Sequence, residues 1–591
     1  MEDHQEMIDT TTSRPLLHPV MQSEGSGMTP QEITIRATFI EVRRLATAVE
    51  KGERSISKVR KSRREFVSLV LKHGPAELLK NLMFQVGAFY RTTDGNLLFF
   101  RDPDHRLYDI EEKTFERYLI QLTDNVTGLR HQWLPRLQAW VRFNAAEVTT
   151  HFLAYNDGPD LNVIAVNTFD GHMMRRKRGG KWERVPNGTD RILFLTPPEF
   201  LSPWQPDFEN GGTGKDLDWL GSLGHFADDG PLSIEDQRRL LRVWLLHLFV
   251  PALNPNHPIP LHEGVTGSGK SVLGESIGRW LTGPEFEVMD LPSGDAAKAE
   301  ESLKIALCKR PLVVIDNVDS PAAFLEDFLC RYATGVRMSR RRLYTNAEEV
   351  HFVPRAGLIV TSRDPHFRRE DVARRLLPIR FQLIPDDQRR SETEIRTEVD
   401  SRRGRIWADV LTELARVQDA WLDLKDKVKP SHSLADFSVF GELLATSELP
   451  GSPGEWRALM QRLETAQGRF TTEEDPLVEL LRAILPASGV LSDQPVRDLY
   501  KQLRDKSVTS DLPFPVKGVG ALTKALKNKR PAIERALGIR IVLDNHHQGG
   551  EYHIAIARVP GPGAPRTEGG DSGDGGDSDP ISLSENEAGV P

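Results

Sequence analysis

The sequence predicts a multidomain α/β protein. Three observations lead there: 591 residues are too many for one hydrophobic core; apolar, β-branched runs alternate with helical patterns between about 233 and 421; and the flanking segments differ in character from that stretch and from each other. A hydrophobic fraction of 39% and a charged fraction of 27% are ordinary for globular chains, so most of the chain is expected to fold. Residues 1–30 are rich in Thr, Ser, Gly and Pro without periodicity and are expected to be disordered. Residues 31–225 read as a helical and α+β accessory region. Its helical part, Ile33 to Gln85, places Phe39, Val42, Leu45 and Val49, then Phe66, Val67, Val70 and Leu71, at helical spacing. From Phe89 to Pro206, short β-type runs (Leu97–Phe100, Trp140–Phe143, Val163–Val166, Ile192–Leu195) are broken by Asp-Gly and Asn-Gly turns. Asp157, Asp160 and Asp170 stand near turns, where Asp caps the backbone, and no catalytic set gathers around them.

The stretch 226–425 carries the chemistry. Gly264, Val265, Thr266, Gly267, Ser268, Gly269, Lys270 and Ser271 form a complete phosphate-binding loop. The glycines let successive N–H groups point at a β-phosphate, Lys270 reaches the β/γ oxygens, and the Ser271 hydroxyl ligates Mg²⁺. Ile259 to Glu263 reads as the strand entering the loop and Ser271 to Leu281 as the helix leaving it, whose N-terminal dipole favours a bound anion. ATP and Mg²⁺ are the expected ligands. Ahead of it, Arg238 to Val250 is an amphipathic helix.

Pro311 to Asn317 is an apolar strand ending in Asp316, placed to hold the Mg²⁺ water shell as the second metal-site residue. Asn317 follows it; an amide positions water but accepts protons poorly, so either Asp319 or Glu326 is the base, or Asn317 suffices, or turnover is slow. Ala356 to Ser362 is a further buried strand; in ATPases that it resembles, such a strand lies between the loop strand and the acidic strand. Its polar end offers Thr361, with Ser362 second, to the γ-phosphate or attacking water. Arg368, Arg369, Arg374 and Arg375 precede the strand Leu376 to Phe381, and Arg375 is the candidate for reaching a neighbouring subunit's γ-phosphate. Between these strands, Arg337 to Phe352 alternates around Thr345-Asn346-Ala347 as a hairpin, with Arg340, Arg342 and Tyr344 on one face. That face suits single-stranded DNA through phosphate contacts and stacking, or else nucleotide or an adjacent subunit.

The run Leu329-Cys-Arg-Tyr-Ala-Thr-Gly-Val-Arg-Met-Ser-Arg-Arg-Arg-Leu-Tyr-Thr-Asn-Ala-Glu-Glu-Val-His-Phe352, the phosphate loop, and Asp371-Val-Ala-Arg-Arg375-Leu-Leu-Pro-Ile379 together resemble a family of bacterial and prophage ATP-binding proteins. That family is related to superfamily 3 helicases and to the helicase half of phage and poxvirus primase-helicases. The resemblance covers about Ser233 to Trp421. It implies an AAA+-like ATPase core, a homo-oligomer (hexamer), nucleotide sites between subunits, and single-strand translocation in replication of a mobile element. Two departures stand out: Asn317 where such helicases carry an acid, and Thr361-Ser362-Arg363 where their strand ends in asparagine.

Residues 426–475 contain several Pro, Ser and Gly breaks and read as a connecting segment with short helices. Residues 476–558 read as three helices (Leu477–Leu485, Gln494–Lys506, Gly518–Leu537) closed by a hairpin, the plan of a winged helix. Lys524, Lys527 and Arg530 make its third helix basic, suited to duplex DNA, and Pro531 is expected to kink or split it. Residues 559–591 form an acidic tail expected to be disordered, and it carries much of the net charge of −8.

Cys308 and Cys330 lie in apolar segments without ligand spacing, so reduced packing residues and a reducing compartment are expected. His546 and His547 read as loop-tip residues. With no long apolar run and no leader pattern at Met1, neither membrane spanning nor export is indicated, and a cytoplasmic protein is expected. Beside the helicase reading stand two others: a nucleotide-gated DNA-binding regulator or scaffold, and a small-molecule kinase, which predicts a monomer without DNA binding.

Overall fold

The computed structural model describes residues 79–558, interrupted at 82, 124–132, 197–200, 254–255, 293–294, 320–322, 336–337, 342–348, 353–355, 364, 366, 368, 449–452, 471–475, 487–489, 511–512 and 545–551. The expected N-terminal helix before residue 79, both segments expected to be disordered, and His546 and His547 lie outside the described residues. The chain divides into two compact units, 1–473 and 474–591.

The first unit opens with β1 (Gly87–Thr92), β2 (Leu97–Arg101) and β3 (Arg106–Asp109), then α1 (Lys113–Thr123) and α2 (Leu134–Asn144), which pack over the sheet, and β4 (Ala146–Val148). Their sheet order is β3-β2-β1-β4. Trp140 to Phe143, expected as a strand, lies in α2: Pro135 starts that helix, and Leu137 and Val141, four apart, supply its buried stripe. β5 (Ala154–Asn156), β6 (Val163–Asn167), β7 (His172–Lys177) and β8 (Glu183–Pro186) follow as an antiparallel meander. Ile192 to Leu195 does not form a strand either; it makes single bridges to His151 and Leu107, and its Phe194 amide is taken by the Asn187 side chain at 2.8 Å.

α3 (Lys215–Ser222) and α4 (Ile234–His247) lead into the central sheet. Ser233 and Asp236 close α4 with a capping box, and Arg462 grips Asp236 at 2.6 and 2.8 Å. Then come β9 (Ile259–Gly264), α5 (Lys270–Thr282), β10 (Met289–Asp290), α6 (Ala296–Lys309), β11 (Leu312–Asp316), α7 (Ala323–Ala333), the hairpin β12 (Met338–Arg341) and β13 (Glu349–Phe352), β14 (Gly357–Ser362), α8 (Glu370–Ala373) and β15 (Leu376–Phe381). Five strands pair in parallel in the order β10-β11-β14-β9-β15. Their apolar runs match a sheet covered on both faces, with Leu312 to Ile315 and Gly357 to Ser362 all buried. α5 approaches β11 so closely that a Cβ on Gly274 would meet Val314 Cγ1 at 2.9 Å.

After the sheet, α9 (Glu392–Leu424) runs 33 residues and is tied at both ends. Near its start Arg396 holds Glu275 of α5 at 2.7 Å and Asp400 takes Arg279 of α5 at 2.6 Å. Near its end Gln418 and Asp419 take Arg176 of β7, each at 2.6 Å. α10 (Ala435–Glu448) and α11 (Pro453–Phe470) complete the unit. These two helices fill the expected connecting segment and differ from that reading: Phe437, Phe440, Trp456 and Leu463 are buried in the same hydrophobic cluster as α4, α5 and α9. Gly441 and Gly468 lie inside these helices rather than breaking them, and the apolar periodicity decides the packing. Nor does the core break at 225/226, since that cluster runs from Leu153 of the accessory part to Ala466.

The second unit, in chain order, is α12 (Pro476–Ile484), β16 (Leu491–Pro495), α13 (Val496–Ser510), α14 (Val519–Leu537), β17 (Ile539–Asp544) and β18 (His553–Arg558), with a sheet ordered β16-β18-β17. Leu477, Leu481, Leu499, Leu503, Leu526, Ile541 and Ile554 form its core. β16 was not legible in Leu-Ser-Asp-Gln-Pro, a run of poor strand formers that β18 recruits. α14 continues through Pro531, so of the expected kink or split the split does not occur. A proline ring removes one helical hydrogen bond, and buried Leu526 and Ile533 on either side of it hold both turns to the core.

Candidate nucleotide site

In a parallel sheet, ligands bind beyond the carboxyl ends of the strands where chain order reverses. β9 is that point here, with β14 and β15, both late in the chain, on its two sides. The loop 264–271 joins it to α5, with Gly267 at φ +82° and Gly269 at φ +83°, a backbone that disfavours side chains. Lys270 is buried, its Nζ 3.4 Å from the Val265 carbonyl of its own loop. Ser268 Oγ is buried with no hydrogen-bond partner among the described residues.

The acidic strand supplies the other half. Ser271 Oγ donates to Asp316 Oδ1 at 2.7 Å, and Thr361 Oγ1 donates to the same oxygen. Asn317 donates its backbone N–H to Thr361 Oγ1 at 3.1 Å and its amide to Asp316 Oδ2 at 3.3 Å. The Asn317 backbone is left-handed, at φ +55°, a conformation Asn tolerates better than most residues. β14 lies between β9 and β11, as expected, so Thr361 stands abreast of Asp316. Ser362 turns away, its hydroxyl donating to the Val318 carbonyl at 2.7 Å and to Asp319 at 3.2 Å. Both alternative bases are engaged: Asp319 accepts the Arg363 amide at 2.6 Å and Glu326 the Arg369 amide at 3.3 Å.

One residue of this region was missed. His262, two positions before the loop, is fully buried, and its Nδ1 lies 3.0 Å from the Lys270 carbonyl. Burial pushes its imidazole down to about 4, against upward pulls from the Lys270 carbonyl and the Asp316 charge. A histidine inside an otherwise apolar strand was the available signal.

The candidate arginines sit elsewhere. Arg375 precedes β15, whose Leu376 pairs with Ile259 at the start of β9. It therefore stands at the opposite edge of the sheet from its own loop, about 17 Å away at strand rise. Arg369 is held by Asp371 at 2.6 Å and by Asp327, which raises its affinity for a proton while Asp371 falls to about 2. Arg374 pairs with Glu370 at 2.6 Å. Arg375 donates to the neutral Asp371 carbonyl.

The hairpin forms as expected, β12 pairing antiparallel with β13 and Arg340 opposite Val350. Arg342, Tyr344 and the expected turn at Thr345-Asn346-Ala347 lie outside the described residues, as does Arg368. In the second unit Lys524 is exposed, Lys527 Nζ sits 3.8 Å over the Tyr552 ring, and Arg530 pairs with Glu534 at 2.9 Å. Arg175 and Arg176 of β7 are neutralised: Arg175 takes Glu183 and Asp190, both at 2.7 Å, and Arg176 takes Asp419. Cys308 and Cys330 are free thiols. Among the described residues no helix is long and apolar enough to cross a membrane.

A parallel sheet with a glycine-rich strand–loop–helix junction at its switch point is a mixed α/β architecture. Residues 234–464 match the family described as the Actinomycete integrative conjugative element replication protein. This match agrees with the expected place in replication of a mobile element. No curated protein matches the chain. Among solved structures, the apo C-terminal region of NrS-1 is similar at 12% identity and a TM-score of 0.38, over 82% of this chain and 100% of that one. The SCCmec type IV Cch active helicase is similar at 11% and 0.36, over 79% and 92%. JCV helicase is similar at 14% and 0.19, over 43% and 70%.

Proposed function

We propose that this chain is an ATP-driven DNA translocase or helicase that works as a cytoplasmic homo-oligomer, a hexamer, in replication of a mobile element. The observation that carries the reading is the Ser271–Asp316–Thr361 cluster beside a complete phosphate loop, inside a segment that matches a replication-protein family. The residues fit Mg·ATP. Loop N–H groups and Lys270 hold the β- and γ-phosphates, and Ser271 Oγ and Asp316 hold the metal, which when bound neutralises charge on the phosphoryl oxygens. Thr361 keeps Asp316 aimed by donating to it, and its oxygen anchors the Asn317 backbone. The exposed Asn317 amide orients the attacking water without taking its proton. Arg375, displaced from its own loop, serves the loop of a neighbouring subunit.

DNA contacts are assigned to Arg340, Arg342 and Tyr344 of the hairpin for the single strand, and to Lys524, Lys527 and Arg530 of a winged-helix-like second unit for the duplex. Turnover measured with and without single-stranded DNA, alongside the assembly mass, tests this. DNA-stimulated turnover by an oligomer, abolished in Lys270→Ala, is the expected result; a monomer whose turnover ignores DNA defeats it. A second reading, a nucleotide-gated DNA-binding regulator, is favoured by Asn317 standing where a base is expected. It predicts ATP-dependent DNA binding with negligible turnover.

A further inference from the structure

In parallel strands, residues abreast of one another project from the same face. Val360 pairs with Ile315, so Thr361 is abreast of Asp316, and Thr361 in turn pairs with His262. Asp316, Thr361 and His262 thus form one row across three adjacent strands, beneath the first turn of α5. Asp316 accepts from Ser271 there, and the neighbouring residue Lys270 meets His262. A carbonyl only accepts, so Nδ1 must carry the proton and the tautomer is fixed. Nε2 is then a bare acceptor, buried against the Phe381 ring, with no partner among the described residues. An unsatisfied buried polar atom is a cost that phenylalanine or leucine would avoid at this position. What the imidazole adds is the bond to Lys270.

Resting on the reading above, we propose that His262 is a positioning residue for nucleotide binding, anchoring the Lys270 backbone through Nδ1–H so that the lysine side chain leaves the helix in the direction of the phosphates. Asp316 fixes Ser271 from one side of the row, and His262 fixes Lys270 from the other. The bond is made by a neutral ring, and the anchor is a side-chain donor at the γ-branch, a place asparagine also fills.

The test uses the full chain, calorimetric titration with a non-hydrolysable ATP analogue and Mg²⁺, and thermal unfolding of the same samples. His262→Phe keeps the ring and loses the donor; it should bind about tenfold more weakly, the scale of one net hydrogen bond. His262→Asn, whose amide stands where Nδ1 stood, should stay within about threefold of wild type. His262→Gln, whose amide stands where Nε2 stood, should behave like His262→Phe. Equal affinities for the Asn and Gln variants overturn the proposal, because a merely structural role would not separate them; this pair decides the matter even if His262→Phe fails to fold. Wild-type binding with unchanged variants removes this inference alone. A wild type that binds no nucleotide removes the proposed function, and this inference with it.

Discussion

The two edges of the central sheet differ in how their polar groups are spent. Where the strands end, Ser271, Asp316, Thr361 and Asn317 bond to one another within a few ångströms of the loop, and His262 bonds the helix that follows. Where the strands begin, arginines gather: Arg369 and Arg374 are neutralised by carboxylates, and Arg375 meets a carbonyl. One edge holds two hydroxyls, a carboxylate and an amide already bonded to one another. At the other, Arg375 donates to the Asp371 carbonyl while the Asp371 carboxylate is held by Arg369. A site completed by a second subunit would divide its parts in this way, and measurements can break or sharpen that division.

The largest effect is expected at the starting edge. Arg375→Ala should lower turnover about 10³-fold or more while nucleotide affinity stays within about threefold. Mixing it with Lys270→Ala subunits should recover part of the turnover, because interfaces then form between an intact Arg375 and an intact loop. No recovery on mixing would place the arginine's effect inside its own subunit.

The next effect belongs to the ending edge and is read from pH. The folded His262 sits near 4 against an ordinary 6.5, so between those values the unfolded chain binds the extra proton. Its contribution is therefore complete above pH 6.5 and is lost as pH falls towards 4, on the order of 3 kcal/mol in all. Wild type should lose more thermal stability than His262→Phe between pH 7 and 5, by about 2 kcal/mol. Parallel curves would contradict a neutral buried ring.

A smaller change is expected from Asn317→Glu. If the missing acid limits turnover, the rate should rise about tenfold, with a stability loss of about 1 kcal/mol from placing Glu in a left-handed backbone. An unchanged rate would assign the slow step elsewhere. Smallest is the hairpin: Arg340→Ala with Arg342→Ala should flatten the salt dependence of single-strand binding by roughly 0.7 logarithmic units per lost phosphate contact. An identical slope would take the hairpin out of the DNA path.

The ending edge was largely legible because each of its parts is local. Gly264 to Ser271 is a contiguous motif, and Asp316 and Thr361 each close a buried apolar run, so strand, loop and helix followed from neighbours in sequence. His262 was not legible as a site residue, since its meaning comes from lying abreast of Thr361, a register that only strand pairing sets. Trp140 to Phe143 misled for a related reason: four residues rich in aromatic and β-branched side chains fit a strand as well as one helical turn, and Pro135 decided for the helix. The partners of Arg175 and Arg176 were not legible either, since Glu183, Asp190 and Asp419 reach them only through the fold.

The long helix α9 has a mechanical corollary. At 1.5 Å per residue its 33 residues make a rod of about 50 Å. One end is bolted to the helix that begins at Lys270, the other to the meander of β5 to β8, through charged hydrogen bonds at each joint. A stiff rod fastened this way does not stretch. The joints stand about 30 Å apart along the axis, so a tilt of a few degrees at the α5 end would arrive at the meander as a displacement of about 2 Å.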